Sequence, residues 1–253
     1  MKINKKKIVV IKFGGSLAGN KTDLVKLIAE ISKLSKSSAV VLVHGGGPEI
    51  NFWSQKIGLK PKFVNGLRFT DKATLEIVEM VLSGKINKMF VSLLNARGTK
   101  AVGLSAKDAN MVVCKKIPGL GLSGEPVKTD PLVLKTLLNA GFMPVLSSMA
   151  CDNKCETLNV NADSIAMAVA IALKANKLIF LTDVSGVLDK NKKTIKLIKY
   201  GEQTKLIKNG AITGGMIPKI QACANAVKKG IDEVWIADGS KGVLKLNGTL
   251  ITK

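Results

Sequence analysis

The sequence predicts an α/β fold: a three-layer αβα sandwich around a central, mostly parallel sheet, arranged in two lobes. Short apolar runs rich in Val and Ile alternate with amphipathic stretches, the signature of strands buried on both faces between helices. No Pro/Ser-rich linker or internal repeat divides the 253 residues, so one sheet is expected to run through the whole chain. Glycine-rich turns directly follow the first two apolar runs, which puts a crevice at the carboxyl ends of the strands, where α/β folds bind ligands.

Taken in order, Ile8–Phe13 reads as a buried strand, 24–34 as a helix, 39–43 as a second strand and 48–56 as a helix opened by Pro48. A short hairpin over 60–68 comes next, then a long helical tract over 71–95, a strand near 101–104 and a hairpin through 111–115. The middle of the chain predicts a helix over 131–140, a strand over 143–146, a helix over Ala162–Leu173 and a strand over 178–181. Helices over 202–209 and 217–228 and a strand over 233–237 complete the alternation. The lobes are expected to divide at 1–173 and 174–253, sharing one sheet.

Composition narrows the function classes. Mean hydropathy is +0.23, yet no stretch approaches the ~18 uncharged residues needed to span a bilayer. The apolar run after the N-terminal lysines stops at Lys12, far short of a signal-peptide core. The expectation is a cytoplasmic protein with no membrane partner. Cys114, Cys151, Cys155 and Cys223 fall in no disulfide or zinc spacing, and His44 is the lone histidine. Neither a structural metal nor a Cys/His nucleophile is expected. The net charge of +21 invites a nucleic-acid reading, but only Arg68 and Arg97 among the 39 basic residues are arginines, and aromatics make up 4%. A lysine-rich solvated surface without specific nucleic-acid binding fits better.

The chemistry resides in a few clusters. K-F-G-G-S at 12–16 and H-G-G-G-P at 44–48 let backbone amides approach an anion at a helix start. G-G-S-L-A-G-N-K-T at 14–22 misses the P-loop spacing because Asn20 separates Gly19 from Lys21. G-L-G-L-S-G at 119–124 fits a dinucleotide pattern, but Pro118 precedes it and Pro126 follows, so it reads as a surface loop. Arg68 sits in a turn before a helix, where a guanidinium can clamp a carboxylate; the plainer reading is a surface salt bridge. Asn159, Asn161 and Asp163 crowd the entrance of an otherwise apolar helix, more than capping needs. G-G-M-I-P-K at 214–219 joins a glycine pair to a lysine, and T-D-V-S-G at 182–186 follows a strand as a nucleotide-contacting loop would.

K-F-G-G-S, H-G-G-G-P-E-I-N, N-G-L-R-F-T-D, N-V-N-A-D, L-T-D-V-S-G-V-L and G-G-M-I-P-K occur in the order and about the spacing seen in acetylglutamate kinases. The chain therefore resembles that branch of the amino acid kinase family, departing from it at Ala106, where the family often has glycine. The resemblance implies an amino acid kinase-like fold and ATP-dependent phosphorylation of the side-chain carboxylate of N-acetyl-L-glutamate, in arginine biosynthesis. It implies Lys12 and Lys219 as catalytic lysines held by Asp163, and Gly14 and Gly15 as phosphate-binding amides. Gly46, Gly47, Arg68 and Asn159 would bind acetylglutamate; Thr182, Asp183, Gly186, Gly214 and Met216 would contact the nucleotide. It further implies ATP as co-substrate, Mg2+ carried mainly by ATP and water, and a homodimer formed through the N-terminal lobe. Two alternatives stay open at this point: a sister kinase, such as the carrier-linked aminoadipate kinase of lysine biosynthesis, and a basic nucleic-acid-binding or regulatory protein on a kinase fold.

Overall fold

The computed structural model describes residues 6–14, 21–212 and 216–253. The first half contains β1 (Ile8–Phe13), α1 (Lys21–Ser37), β2 (Ala39–His44), α2 (Gly47–Lys56), β3 (Phe63–Val64) and β4 (Leu67–Arg68). A long helical tract follows as α3 (Lys72–Glu79), a π-helical stretch (Met80–Ile86) and α4 (Asn87–Asn95). Then come β5 (Ala101–Ser105), β6 (Val112–Lys116), β7 (Ser123–Thr129), α5 (Leu132–Asn139), β8 (Met143–Ser147), β9 (Met149–Cys151) and β10 (Thr157–Val160). The chain continues through α6 (Ala162–Leu173), β11 (Lys177–Thr182), β12 (Leu197–Lys199), α7 (Glu202–Lys208), α8 (Met216–Lys228), β13 (Glu233–Asp238) and β14 (Gly248–Thr252).

Among the described residues, eight strands form one sheet in the order β12-β14-β13-β11-β1-β2-β8-β5. Every neighbouring pair in it is parallel except β13 with β14. Strand parity assigns each face its cover. Val9, Ile11 and Phe13 of β1 pack with Leu27, Ile28 and Ile31 of α1 and with Phe90 of α4. Ile8 and Val10 pack with Ile165 and Val169 of α6 and with Ile220 and Val227 of α8. Successive strand side chains alternate between faces, so Lys12 emerges at the carboxyl end of β1 on the side of α6 and α8. The winding reverses at β1, placing the ends of β11, β1 and β2 side by side.

The expected mostly parallel sheet is present, and beside it β10, β7, β6 and β9 close a small barrel that the sequence reading did not contain. One expectation needs correction. Residues 119–124 are a surface loop only in part: Gly119 and Gly121 are exposed, but Leu120 is buried, the Thr70 N–H donates to the Leu120 carbonyl and the Leu122 N–H donates to the Thr70 carbonyl. Ser123 and Gly124 then open β7, buried and paired with Asn159 and Val160 of β10. S-G-E-P-V-K-T has neither the alternation nor the β-branched content of an obvious strand, which is why pattern reading passes over it. The helical tract expected over 71–95 is present, and its middle widens to π geometry. Strands β9, β10, β12 and β14 also escaped the sequence reading, each being five residues or fewer.

Candidate active site

Three charged side chains meet above the switch point. Lys12 Nζ lies 2.8 Å from Asp163 Oδ1, and Lys219 Nζ lies 3.7 Å from Asp163 Oδ2. Parity on β1 brings Lys12 to the α6 face. Asn161 caps α6, its Oδ1 accepting from the Asp163 N–H at 2.7 Å, which fixes Asp163 in the first helical turn. Lys219 arrives from α8, its ammonium 5.9 Å from the Phe180 ring. Burial alone would raise the Asp163 carboxyl pKa, but Lys12 and then Lys219 outweigh it and hold the group below the usual carboxylate value. Asp163 is therefore an anion that spaces two cations, both with ammonium charge to spare for a ligand. Cys223, one turn beyond Lys219 and also on α8, is buried with its thiol pushed up to about 12, which removes it as a nucleophile.

The glycine turns divide into two cases. Gly14 donates its N–H to the Leu181 carbonyl at 3.0 Å, and a Cβ there would stand 2.8 Å from that oxygen. Its glycine is thus explained by close approach to β11, and that amide is not free for a phosphoryl oxygen as expected. Gly15 lies outside the described residues, as does Gly214. The second turn stands open. Gly46 caps α2 through its carbonyl, which accepts the Ile50 N–H at 2.9 Å. Gly46 and Gly47 both line a cavity of about 360 Å³, and among the described residues their N–H groups donate to no protein acceptor.

That cavity extends from Lys12 and Asp163 to Arg68 and Asn159. Arg68 is 9% exposed and makes no ion pair among the described residues, so the surface salt bridge is set aside. Its Nη2 donates to Asn51 Oδ1 at 2.5 Å, its guanidinium lies 4.8 Å from the Phe63 ring centre, and its buried Nη1 has no partner among the described residues. Burial lowers the Arg68 pKa, yet a guanidinium starts so high that the charge remains. Asn159 belongs to β10, not to the helix cap, and its Nδ2 donates to Thr70 Oγ1 at 3.0 Å. Thr70 Oγ1 and Ser123 Oγ lie 2.9 Å apart, and Ser123 donates to the Arg68 carbonyl at 2.6 Å. This chain of bonds ties the β3–β4 hairpin to the barrel. The arrangement offers a guanidinium edge and backbone N–H groups that are unpaired among the described residues, together with an amide, around one cavity, a set suited to an anionic amide-bearing ligand.

The residues expected at the nucleotide stand outside this cavity. Thr182 ends β11 beside Gly14, and its Oγ1 donates to Asp183 Oδ1 at 3.1 Å. Gly186 has φ of +114°, and a Cβ there would press on Thr249 of β14; the turn itself requires glycine. Met216 is half-buried at α8. None of these four lines the acceptor-side cavity. Sequence reading missed Phe63, Asn51, Ser123 and Glu125, of which Phe63, Ser123 and Glu125 line it. Asn51 lies in H-G-G-G-P-E-I-N and Phe63 in the expected 60–68 hairpin, neither with a role legible from sequence, whereas Ser123 and Glu125 depend on a barrel whose pairing no local pattern announces.

Comparison with known proteins adds a family-level finding. The model described as Amino acid kinase family matches residues 7–238. An acetylglutamate kinase of Endomicrobium trichonymphae is 50% identical over 246 residues, covering 97% of this chain and 99% of the relative. One from Mesorhizobium japonicum is 45% identical over 249 residues, covering 92% and 84%. Among solved structures, a Streptococcus mutans protein superposes with a TM-score of 0.84 at 32% identity, covering 97% of this chain and 98% of that one. Carbamate kinase from Giardia lamblia bound to AMP-PNP gives a TM-score of 0.71 at 22% identity over 98% and 99% of the two chains, a likeness of fold alone.

Proposed function

The chain belongs to the amino acid kinase family, and from that premise we propose that it transfers the γ-phosphoryl group of ATP to the side-chain carboxylate of N-acetyl-L-glutamate. The product is N-acetylglutamyl 5-phosphate, an intermediate of arginine biosynthesis. Relatives named acetylglutamate kinase at 43–50% identity over more than nine-tenths of the chain support the substrate, and neither alternative reading draws support from them. The observation that carries the chemistry is that Lys12 and Asp163, the latter also paired with Lys219, line the same cavity as a buried Arg68 whose Nη1 has no partner among the described residues.

A carboxylate acceptor is already ionised at neutral pH, so no general base is needed, and catalysis reduces to positioning and charge neutralisation. Arg68 Nη1 receives the α-carboxylate, while Asn51 and Phe63 hold the guanidinium flat against the hairpin. Asn159 is fixed by Thr70 through its Nδ2, which leaves Oδ1 to accept the substrate amide N–H. The free Gly46 and Gly47 amides receive the attacking carboxylate and the transferring group, an oxyanion-hole arrangement. Lys12 and Lys219 neutralise the charge that spreads over the phosphoryl oxygens, and Asp163 sets their separation. Gly15 and Gly214, with Thr182, Asp183, Gly186 and Met216, are assigned to ATP. Gly14 shapes the first turn instead of binding phosphate through its amide.

Asp163 is committed to two ammonium groups, so Mg2+ would be held mainly by ATP and water and would supply neutralisation of phosphate charge. Residues 1–173 form the acetylglutamate lobe and 174–253 the ATP lobe, with the homodimer formed through the first, in a cytoplasmic enzyme. No helix among the described residues is long and apolar enough to cross a membrane. The direct test is hydroxylamine trapping: an acyl phosphate yields a hydroxamate whose formation requires both ATP and acetylglutamate. ATP consumption without hydroxamate would overturn the proposed product.

A further inference from the structure

His44 is fully buried at the end of β2, and nothing in the proposed chemistry uses it. We infer that His44 and Asn87 are positioning residues that fix the second glycine turn so that its amides face the acceptor cavity. The inference rests on the reading of that turn as the site of the attacking carboxylate.

Asn87 fixes the tautomer of His44. The Asn87 Nδ2 lies 2.9 Å from the Val145 carbonyl, 3.2 Å from the Leu104 carbonyl and 3.2 Å from His44 Nε2. Rotating the amide would set its oxygen against two carbonyl oxygens, so the NH2 end must face them. Nε2 then meets a donor, can only accept, and carries no proton. The imidazole proton therefore sits on Nδ1, which is 3.1 Å from the Gly45 carbonyl and donates to it. Lys88 Nζ, 3.3 Å from Asn87 Oδ1, supports the same orientation. Space for Asn87 exists because residue 103 is glycine: a Cβ there would overlap the Asn87 side chain. Burial draws the His44 pKa down to about 4, so the neutral ring persists at neutral pH.

The consequence runs through one peptide plane. In a trans peptide the carbonyl of Gly45 and the N–H of Gly46 point in opposite directions. Pinning the carbonyl to His44 thus aims the Gly46 N–H away from the core, toward the cavity that Gly46 lines. The π-helical stretch completes the clamp from below. Leu82 and Ile86 press directly under Gly46, where any Cβ would collide with both, and Ser83 Oγ is tied to Ser147 Oγ at 2.9 Å. Asn87 is the residue whose N–H closes this widened turn on the Leu82 carbonyl. Single wide turns of this kind recur where a helix serves a site.

Because the chain holds a single histidine, 15N NMR of the labelled protein reads its tautomer without ambiguity. A protonated Nδ1 with an unprotonated Nε2 across neutral pH is expected; an Nε2–H tautomer or an imidazolium would overturn the inference. Kinetics supply the second arm. Asn87→Leu should release the tautomer into exchange and lower kcat by roughly 10-fold while leaving the KM for ATP within about 2-fold, since a slightly misaimed donor costs rate before it costs nucleotide binding. His44→Leu should match it, and His44→Asn, whose Nδ2 can replace Nδ1 as donor to Gly45, should recover most of the loss. Wild-type kcat in both Asn87→Leu and His44→Leu would overturn the inference. Failure of the wild-type protein to turn over acetylglutamate would instead defeat the functional reading, and the tautomer spectrum would still decide the role of His44.

Discussion

The two ends of the cavity are built by different kinds of structure. At the phosphoryl end, Lys12 of β1 and Asp163 of α6 line the cavity, and Lys219 of α8 joins them through its ion pair with Asp163; all three stand on elements of the main sandwich whose facing follows from strand parity and helix start. At the acceptor end, Arg68 and Asn159 stand on two-residue and four-residue strands held together by Thr70 and Ser123 across more than fifty residues of sequence. The first end carries several charges locked by mutual attraction. The second carries one buried charge, Arg68, locked by neutral hydrogen bonds and an aromatic ring. Rate should therefore depend on the first end and acceptor affinity on the second.

The largest effect that could break this division is at the lysines. Lys12→Ala and Lys219→Ala should each lower kcat by ~10² or more with the fold retained, because each removes a charge aimed at the transferring group. Steady-state kinetics at saturating ATP and acetylglutamate, with circular dichroism as the folding control, checks it; near-wild-type turnover would remove that lysine from the chemistry. Next, Arg68→Lys should raise the KM for acetylglutamate by ~10-fold and leave the KM for ATP within ~2-fold, since an ammonium cannot keep the Asn51 bond and offer a second prong. Equal shifts in both constants would erase the distinction between the two ends.

A smaller effect concerns pH. The folded Asp163 pKa is depressed, so its ion pairs contribute stability that is fully present above the ordinary carboxylate value of ~3.9 and lost as pH falls through the folded value. Thermal melts should show the gap between wild type and Asp163→Asn narrowing below about pH 4; a gap constant with pH would remove the charge from the account. The smallest effect is expected away from the cavity. Lys116 and Glu156, paired at 2.6 Å but each more than two-fifths exposed, should tolerate Lys116→Ala with a change of roughly 0–1 kcal/mol in stability and none in kinetics.

The same contrast explains what was legible in the sequence. β1, β2, β11 and β13 are near-continuous apolar runs, and the main sheet could be laid out from them along with the position of Lys12. Asp163 was visible as a carboxylate too many at a helix start. The barrel was not visible, because β9 and β10 are three and four residues long and β7 lacks β-branched alternation. Its closure is a matter of long-range pairing, to which local propensity is blind. For that reason G-L-G-L-S-G reads as a surface loop although its last two residues, Ser123 and Gly124, are buried in β7. The π turn was illegible for a similar reason: M-V-L-S-G-K-I reads as ordinary helix, and its widening accompanies contacts of Ser83 and Asn87 with β8 and β5.

The central claim, that this cavity selects N-acetyl-L-glutamate and presents its side-chain carboxylate to ATP, is tested most directly by ATP turnover with N-acetyl-L-glutamate, L-glutamate and L-aspartate measured side by side. Turnover with acetylglutamate at least ~10-fold above the other two in kcat/KM is the expected result, because Asn159 and Arg68 together read the acylated amide and the α-carboxylate. Equal turnover with free glutamate, or a preference for aspartate, would contradict it.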